Sequence, residues 1–232
     1  MTQQKMKRDY ISKFDGKPCM MVATFSNANK KIGSDVVQTW YFRNGIHIPS
    51  IERKHNRDFS VCGDCPMKPG CYVDLWRGPD GLWTSVLNGN CQPWNIKLFK
   101  DRIVRLGAFG DSLSHNVRHI TDIAKHARCV IGYTQQWRRY RDSVARYHIM
   151  ASVMSDDDAK KAKAYGWRYF KAVADGYVLK RNEIWCRHYE HGLQCADCRL
   201  CIGQQDGKLL ADVCTPAHGN RKKQLLSIIG RD

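Results

Sequence analysis

The sequence predicts an α/β fold of the (β/α)-barrel kind, TIM-like and either complete or incomplete, and three observations lead there. From residue 101 onward, β-branched and aromatic runs alternate with stretches of helical apolar spacing, the pattern of a parallel sheet with right-handed crossovers. No G-x-G-x-x-G follows a strand, which weakens the main alternative, a doubly wound dinucleotide-binding sheet. The chain has 232 residues, 43% of them hydrophobic, which suits one large domain carrying an inserted segment.

In chain order, "PCMMVATFS" and "VVQTWYF" read as strands within an otherwise irregular first part. Residues 46–93 are rich in Gly, Pro, Asn and Cys and read as a loop-built, metal-stapled insertion within a single barrel domain spanning 1–232. "RIVRLGAFG" is a strand, and "SLSHNVRHITDIAKHA" a helix that Asp111 or Ser112 could cap. The strand "RCVIGYT" and a helix over "QWRRYRDSVARY" follow. "YHIMASVM" is a strand, and "SDDDAKKAKAYG" a helix with Ser155 as N-cap and acids in its first turn. "WRYFKAVA" is a strand, and "NEIWC" and "LLADVCT" are shorter ones.

A barrel places its reactive groups where strands end. Here those positions hold "GAFGDS", "GYTQQW", "ASVMSD" and "AVADG", which supply Asp111, Ser112, Thr134, Gln135, Gln136, Ser152, Asp156 and Asp175. Asp156 reads first as part of an ordinary helix opening. Asp111 reads equally as a cap or as a chemical group.

Lys and Arg number 38 against 22 Asp and Glu, a formal net charge of +16. A domain this basic calls for an anionic partner, and nucleic acid is the first candidate. The basic residues are dispersed among aromatics, as in "QQWRRYRDSVARYH", which suits a folded surface on which bases could stack. The competing reading is a basic protein with ordinary half-buried aromatics. Mean hydropathy is −0.54, and no apolar run approaches the ~20 residues of a spanning helix, so no membrane segment is expected. The opening "MTQQKMKRDYISKFDGK" lacks the apolar run of a secretion signal, so the expected location is cytoplasmic.

Eleven cysteines in such a chain point to metal or catalysis rather than disulfides. The first cluster is "CGDCPMKPGCY", with Cys62, Cys65 and Cys71 as candidate ligands for zinc or an iron–sulfur cluster, and Cys91, His55 or Cys19 as a fourth. Its C-x2-C-x5-C spacing departs from the C-x3-C-x2-C of radical S-adenosylmethionine enzymes. The second cluster is "QCADCRLCIGQQDGKLLADVCTPAHGN". Cys195, Cys198 and Cys201 with His218 make a Cys3His tetrahedron, a closed and therefore structural zinc site. Cys214 competes for the fourth place, and Cys186, His188 and His191 are also close in sequence.

"CGDCPMKPGCY", "RLGAFGD", "GYTQQW", "ASVMSDDDAKKAKAYGWRYFKAV" and "CADCRLC…PAHG", in order from Cys62 to Gly219, resemble a Cys-rich barrel family of phages and plasmids. More remotely they resemble the tRNA-guanine transglycosylase superfamily, including the phage enzymes that place 7-deazaguanine in DNA. The resemblance implies a barrel, a zinc held by Cys195, Cys198, Cys201 and His218, and base exchange by strand-end aspartates. Asp111, with Asp175 as a second, matches those aspartates. The ligand spacing departs from the tRNA enzymes, which have a tighter first pair and a longer gap to the histidine. The first cysteine cluster is not part of the superfamily pattern.

The function expected on this basis is exchange of guanine in DNA for a 7-deazaguanine, protecting viral DNA from host restriction. Asp111 would attack C1′ of the nucleotide, Gln135 and Gln136 would read the purine edge, and Tyr133 or Trp137 would stack on it. Two alternatives stand beside it. One is a radical or iron–sulfur enzyme using Cys62, Cys65 and Cys71. The other is a non-enzymatic, zinc-stapled nucleic-acid-binding protein.

Overall fold

The run MMVAT is buried along its whole length, and it forms a central strand of the first half of the chain. The computed structural model describes residues 4–26, 29–45, 47–206, 208 and 210–229. It is α/β, as expected, and it divides into two units. Ile46 of the expected insertion and Leu209 of the last expected strand lie outside the described residues.

The first unit comprises Met1–Asn29, Ser34–Asp64 and Val73–Val130. Its strands are β1 (Lys5–Ile11), β2 (Pro18–Thr24), β3 (Val37–Arg43), β4 (Gln92–Pro93) and β5 (Ile103–Phe109), in the order β4-β1-β2-β3-β5. β1, β2 and β3 are joined antiparallel, while β3–β5 and β1–β4 are parallel. β1 was not expected, because its Lys, Arg and Asp lower strand propensity. Its alternating burial shows why it forms: Met6 and Tyr10 are buried in the core, Lys7 and Asp9 are exposed, and Arg8, on the face of Met6 and Tyr10, lies half-buried over Trp94. Tyr10, Met20, Val22, Phe42, Trp83 and Phe109 share that core.

Residues 47–93 are not loop throughout. They contain helices α1 (Pro49–Lys54), α2 (Phe59–Cys62) and α3 (Pro79–Leu87). The prolines that suggested a loop start α1 and α3, where a missing N–H costs nothing. The helix expected over 112–127 is shorter. A 3-10 turn, Ser112–Ser114, comes first, and α4 (Arg118–His126) follows.

The second unit comprises Lys30–Gly33, Cys65–Tyr72 and Ile131–Asp232. It takes most of β6 (Cys129–Thr134), with β7 (Met150–Val153), β8 (Tyr169–Val173), β9 (Glu183–Trp185) and β10 (Asp212–Pro216). All its pairings are parallel, in the order β6-β7-β8-β10-β9. Helix α5 (Asp156–Ala164) connects β7 to β8, and Ser155 Oγ accepts its Asp158 N–H at 3.1 Å, as the sequence predicts. Short helices α6 (Arg187–His191), α7 (Cys195–Cys198) and α8 (Lys222–Leu226) complete it. The all-parallel pairing that a barrel wall needs holds in this unit, whereas the first unit is mixed.

The expected helix over 136–147 is absent. Two 3-10 turns, Gln136–Arg138 and Val144–Tyr147, stand in its place. Ser143 accepts the N–H of Ala145 with its hydroxyl at 3.2 Å and starts a new turn there. That side-chain bond competes with the helical ladder. Among the described residues no helix is long and apolar enough to cross a membrane.

Candidate functional sites

In the first unit, β5 ends at a glycine that nothing else could replace. Gly110 has φ +76°, and a Cβ there would stand 2.8 Å from Tyr41 Cβ and 2.9 Å from its carbonyl. Asp111 comes next, buried at 8% exposure. Its N–H donates to the Val61 carbonyl at 2.6 Å, and its Oδ1 accepts from Leu113 N–H at 2.9 Å. It therefore caps the Ser112–Ser114 turn, the structural half of what the sequence allowed.

Around that turn lies a polar cluster inside an apolar core. Tyr10 and Ser114 share a hydroxyl hydrogen bond of 2.8 Å. Tyr41 OH and His119 Nε2 are 2.9 Å apart, and His119 Nδ1 lies 2.5 Å from the Asn116 carbonyl. An Nδ1–H donating to that carbonyl leaves Nε2 to accept from Tyr41. His115 stacks on Tyr10 at 4.4 Å and lies 4.4 Å from the His119 ring. Burial, helped by the charge of Arg8, pulls His115 down to about 4. Burial, helped by His115, pulls His119 to about 3. Both imidazoles are thus neutral at pH 7. The buried Ser112 hydroxyl has no formed hydrogen bond. Sequence reasoning missed this cluster, although "SLSHNVRH" spaces two histidines four apart in a stretch read as a helix.

In the second unit, of the residues expected to read and stack on a base, Gln136 and Trp137 are buried and Tyr133 and Gln135 half-buried. Trp137 is fully buried, and its Nε1–H donates to the Ser152 carbonyl at 2.9 Å. Gln136 is buried, and its N–H donates to Thr134 Oγ1 at 2.9 Å. Gln135 Nε2 donates to Ser152 Oγ at 2.7 Å and reaches Met67 Sδ. Tyr133 donates to Cys201 Sγ at 3.3 Å and packs on Phe170. Asp175 is exposed and binds Lys222 Nζ at 2.8 Å. Asp156 pairs with Lys171 and Lys180. Burial works against its ionisation, but the lysines outweigh that and hold its carboxyl below the usual range.

What does face solvent there is arginine. Arg138 lies 4.3 Å over the Trp137 ring, Arg146 5.0 Å over Tyr147, Arg139 5.7 Å over Tyr140, and Arg141 5.8 Å over Tyr165. Arg138, Arg139 and Arg141 are exposed. A guanidinium held over a ring keeps its charge and its planar fork of donors, which suit phosphate and base recognition.

The cysteines divide between the units. Cys62, at the end of α2, belongs to the first unit and lies 3.6 Å from Arg53 Nη2, while Cys65 and Cys71 belong to the second. In the C-terminal cluster, His218 is exposed, its Nδ1 engages the Pro216 carbonyl at 2.8 Å, and its ring faces Tyr72. Cys214 is buried in β10, where burial and Glu183 push its thiol well up. Among the described residues, no three Cys, His, Asp or Glu side chains already stand in ligating geometry about one point. For the expected zinc, then, the three cysteines of 195–201 suit the ion by chemistry, and the Nδ1 contact of His218 leaves its Nε2 for a ligand.

No family model, curated protein or solved structure matches the chain.

Proposed function

We propose that the protein binds nucleic acid, DNA in the cytoplasm, through the arginine-on-aromatic segment 137–147. The observation that carries this reading is the set of four guanidinium groups held over Trp137, Tyr140, Tyr147 and Tyr165. The net charge of +16 supplies the long-range attraction. Local pairing with Asp158 and Asp142 tempers two of the arginines without cancelling the excess. Guanidinium planes stack on bases and bond phosphates, which suits single strands, where bases are accessible. The test is fluorescence anisotropy with a mixed-sequence single-stranded DNA. Replacing Arg138, Arg139 and Arg141 together by Ala is expected to weaken binding at least tenfold with the fold intact. Unchanged affinity would overturn the assignment of this segment.

A second reading, exchange of guanine in DNA for a 7-deazaguanine, is favoured by the polar cluster around Asp111. The carboxylate would attack C1′, the C1′–N9 bond would break with its electron pair going to the departing guanine, and an ester would be left on the enzyme. The incoming base would attack the same carbon through N9, lose its proton and release the carboxylate, so two inversions retain configuration. The (β/α)-barrel expectation, the 7-deazaguanine ligand and protection of viral DNA belong to this reading. Nucleoside mass spectrometry of DNA from cells co-expressing the protein and a deazaguanine supply tests it, and an absence of modified base would remove it.

A further inference from the structure

We propose that Cys186, Cys195, Cys198 and Cys201 form a four-thiolate site for one zinc ion, with Cys186 in the place expected for His218. The backbone brings the four together within the second unit. Cys186 follows β9 and precedes α6, and its N–H donates to the Cys214 carbonyl at 2.7 Å, which ties it to β10. Cys195 and Cys198 open and close α7. The carbonyls of Lys31 and Ile32 receive the N–H groups of Cys195 and Ala196 at 3.0 Å each, which fixes the start of that helix. Arg199, in the left-handed region at φ 52°, turns the chain back so that Cys201 follows. Cys201 is held from both sides: its carbonyl accepts from Gly132 N–H at 3.2 Å and its sulfur accepts from Tyr133.

Cys198 Sγ accepts backbone N–H groups from Leu200 and from Arg187, the neighbour of Cys186. Such N–H···S bonds favour the thiolate, the form that ligates.

An independent observation says why a metal belongs there. Residues 184–202, which carry α6 and α7, include no buried residue. Two helices of five and four residues have no core of their own, and helices that short do not hold themselves. A structural zinc supplies folding energy where a core is missing. Four thiolates leave it no open position, so the ion staples α6, α7 and β9 together rather than doing chemistry. The proposal is independent of nucleic-acid binding.

The experiment is metal analysis of the purified full chain with Cys186→Ser and His218→Ala variants, together with absorption of the cobalt-substituted wild-type protein. The expected result is about one zinc per chain, lost in Cys186→Ser and kept in His218→Ala, and a cobalt spectrum of four-thiolate type. Should Cys186→Ser fail to fold, the cobalt spectrum and His218→Ala still decide. Zinc lost in His218→Ala, a three-thiolate–imidazole spectrum, iron in place of zinc, or wild-type protein without metal would each overturn the proposal.

Discussion

The guanidinium of Arg168 donates to the carbonyl of Leu200 at 3.0 Å. It also donates to Ile202 at 2.6 Å and to Ala211, so it grips the chain on both sides of Cys201. Arg168 itself is 1% exposed, beside the carboxylate of Asp212. Arg168→Met would strand these carbonyls and that carboxylate. We expect a loss of about 3 kcal/mol or more in urea unfolding. A variant with the wild-type midpoint would show that the grip contributes nothing net.

Asp111 separates cap from chemistry. Asp111→Asn keeps an oxygen for the Leu113 N–H, so unfolding should be nearly unchanged, whereas Asp111→Ala should cost about 1 kcal/mol. Base exchange, if it occurs, should vanish in both. Full exchange activity in the Asn variant would leave Asp111 as a cap alone.

The strands from β5 onward, with the Ser155 cap and α5, were legible because burial and periodicity agree there. β1 was not, because only its pairing with β2 compensates for its charges. The 136–147 segment misled because its apolar spacing suits a helix, while the Ser143 hydroxyl offers the backbone a rival bond. The cysteine spacing was legible as a grouping within one segment. The sequence left the fourth ligand open among His218, Cys214, Cys186, His188 and His191, because spacing does not show that β9 pairs with β10 beside them. His115 and His119 escaped notice because spacing alone cannot say that two histidines on an amphipathic stretch turn inward.

Those histidines set a pH dependence. Their folded values, about 4 and about 3, lie below the ordinary 6.5. Between those limits the unfolded chain binds more protons than the folded one, so stability rises with pH. Their contribution is complete above about pH 6.5 and is lost progressively as pH falls toward 4 and then 3. The thermal midpoint should drop between pH 7 and pH 4, and less so in His119→Phe. A midpoint that is flat, or that rises on acidification, would contradict their burial as neutral groups.

Trp137 is the anchor beneath the arginines, not a stacking surface. Trp137→Ala should cost about 3–5 kcal/mol of stability, while Arg139→Ala should leave stability within about 0.5 kcal/mol. Comparing the two by urea unfolding checks the division. Equal stability effects would mean that the inward placement of Trp137 is wrong.

Exposed guanidinium groups that bind phosphate-bearing strands must displace counterions, and the salt dependence of DNA affinity measures that displacement directly. The logarithm of the binding constant should fall steeply and linearly with the logarithm of salt. Removing Arg138, Arg139 and Arg141 should make the slope shallower by ~0.7 for each single-strand phosphate that is no longer neutralised. A wild-type slope near zero, or the same slope in the variant, would contradict phosphate binding by these arginines.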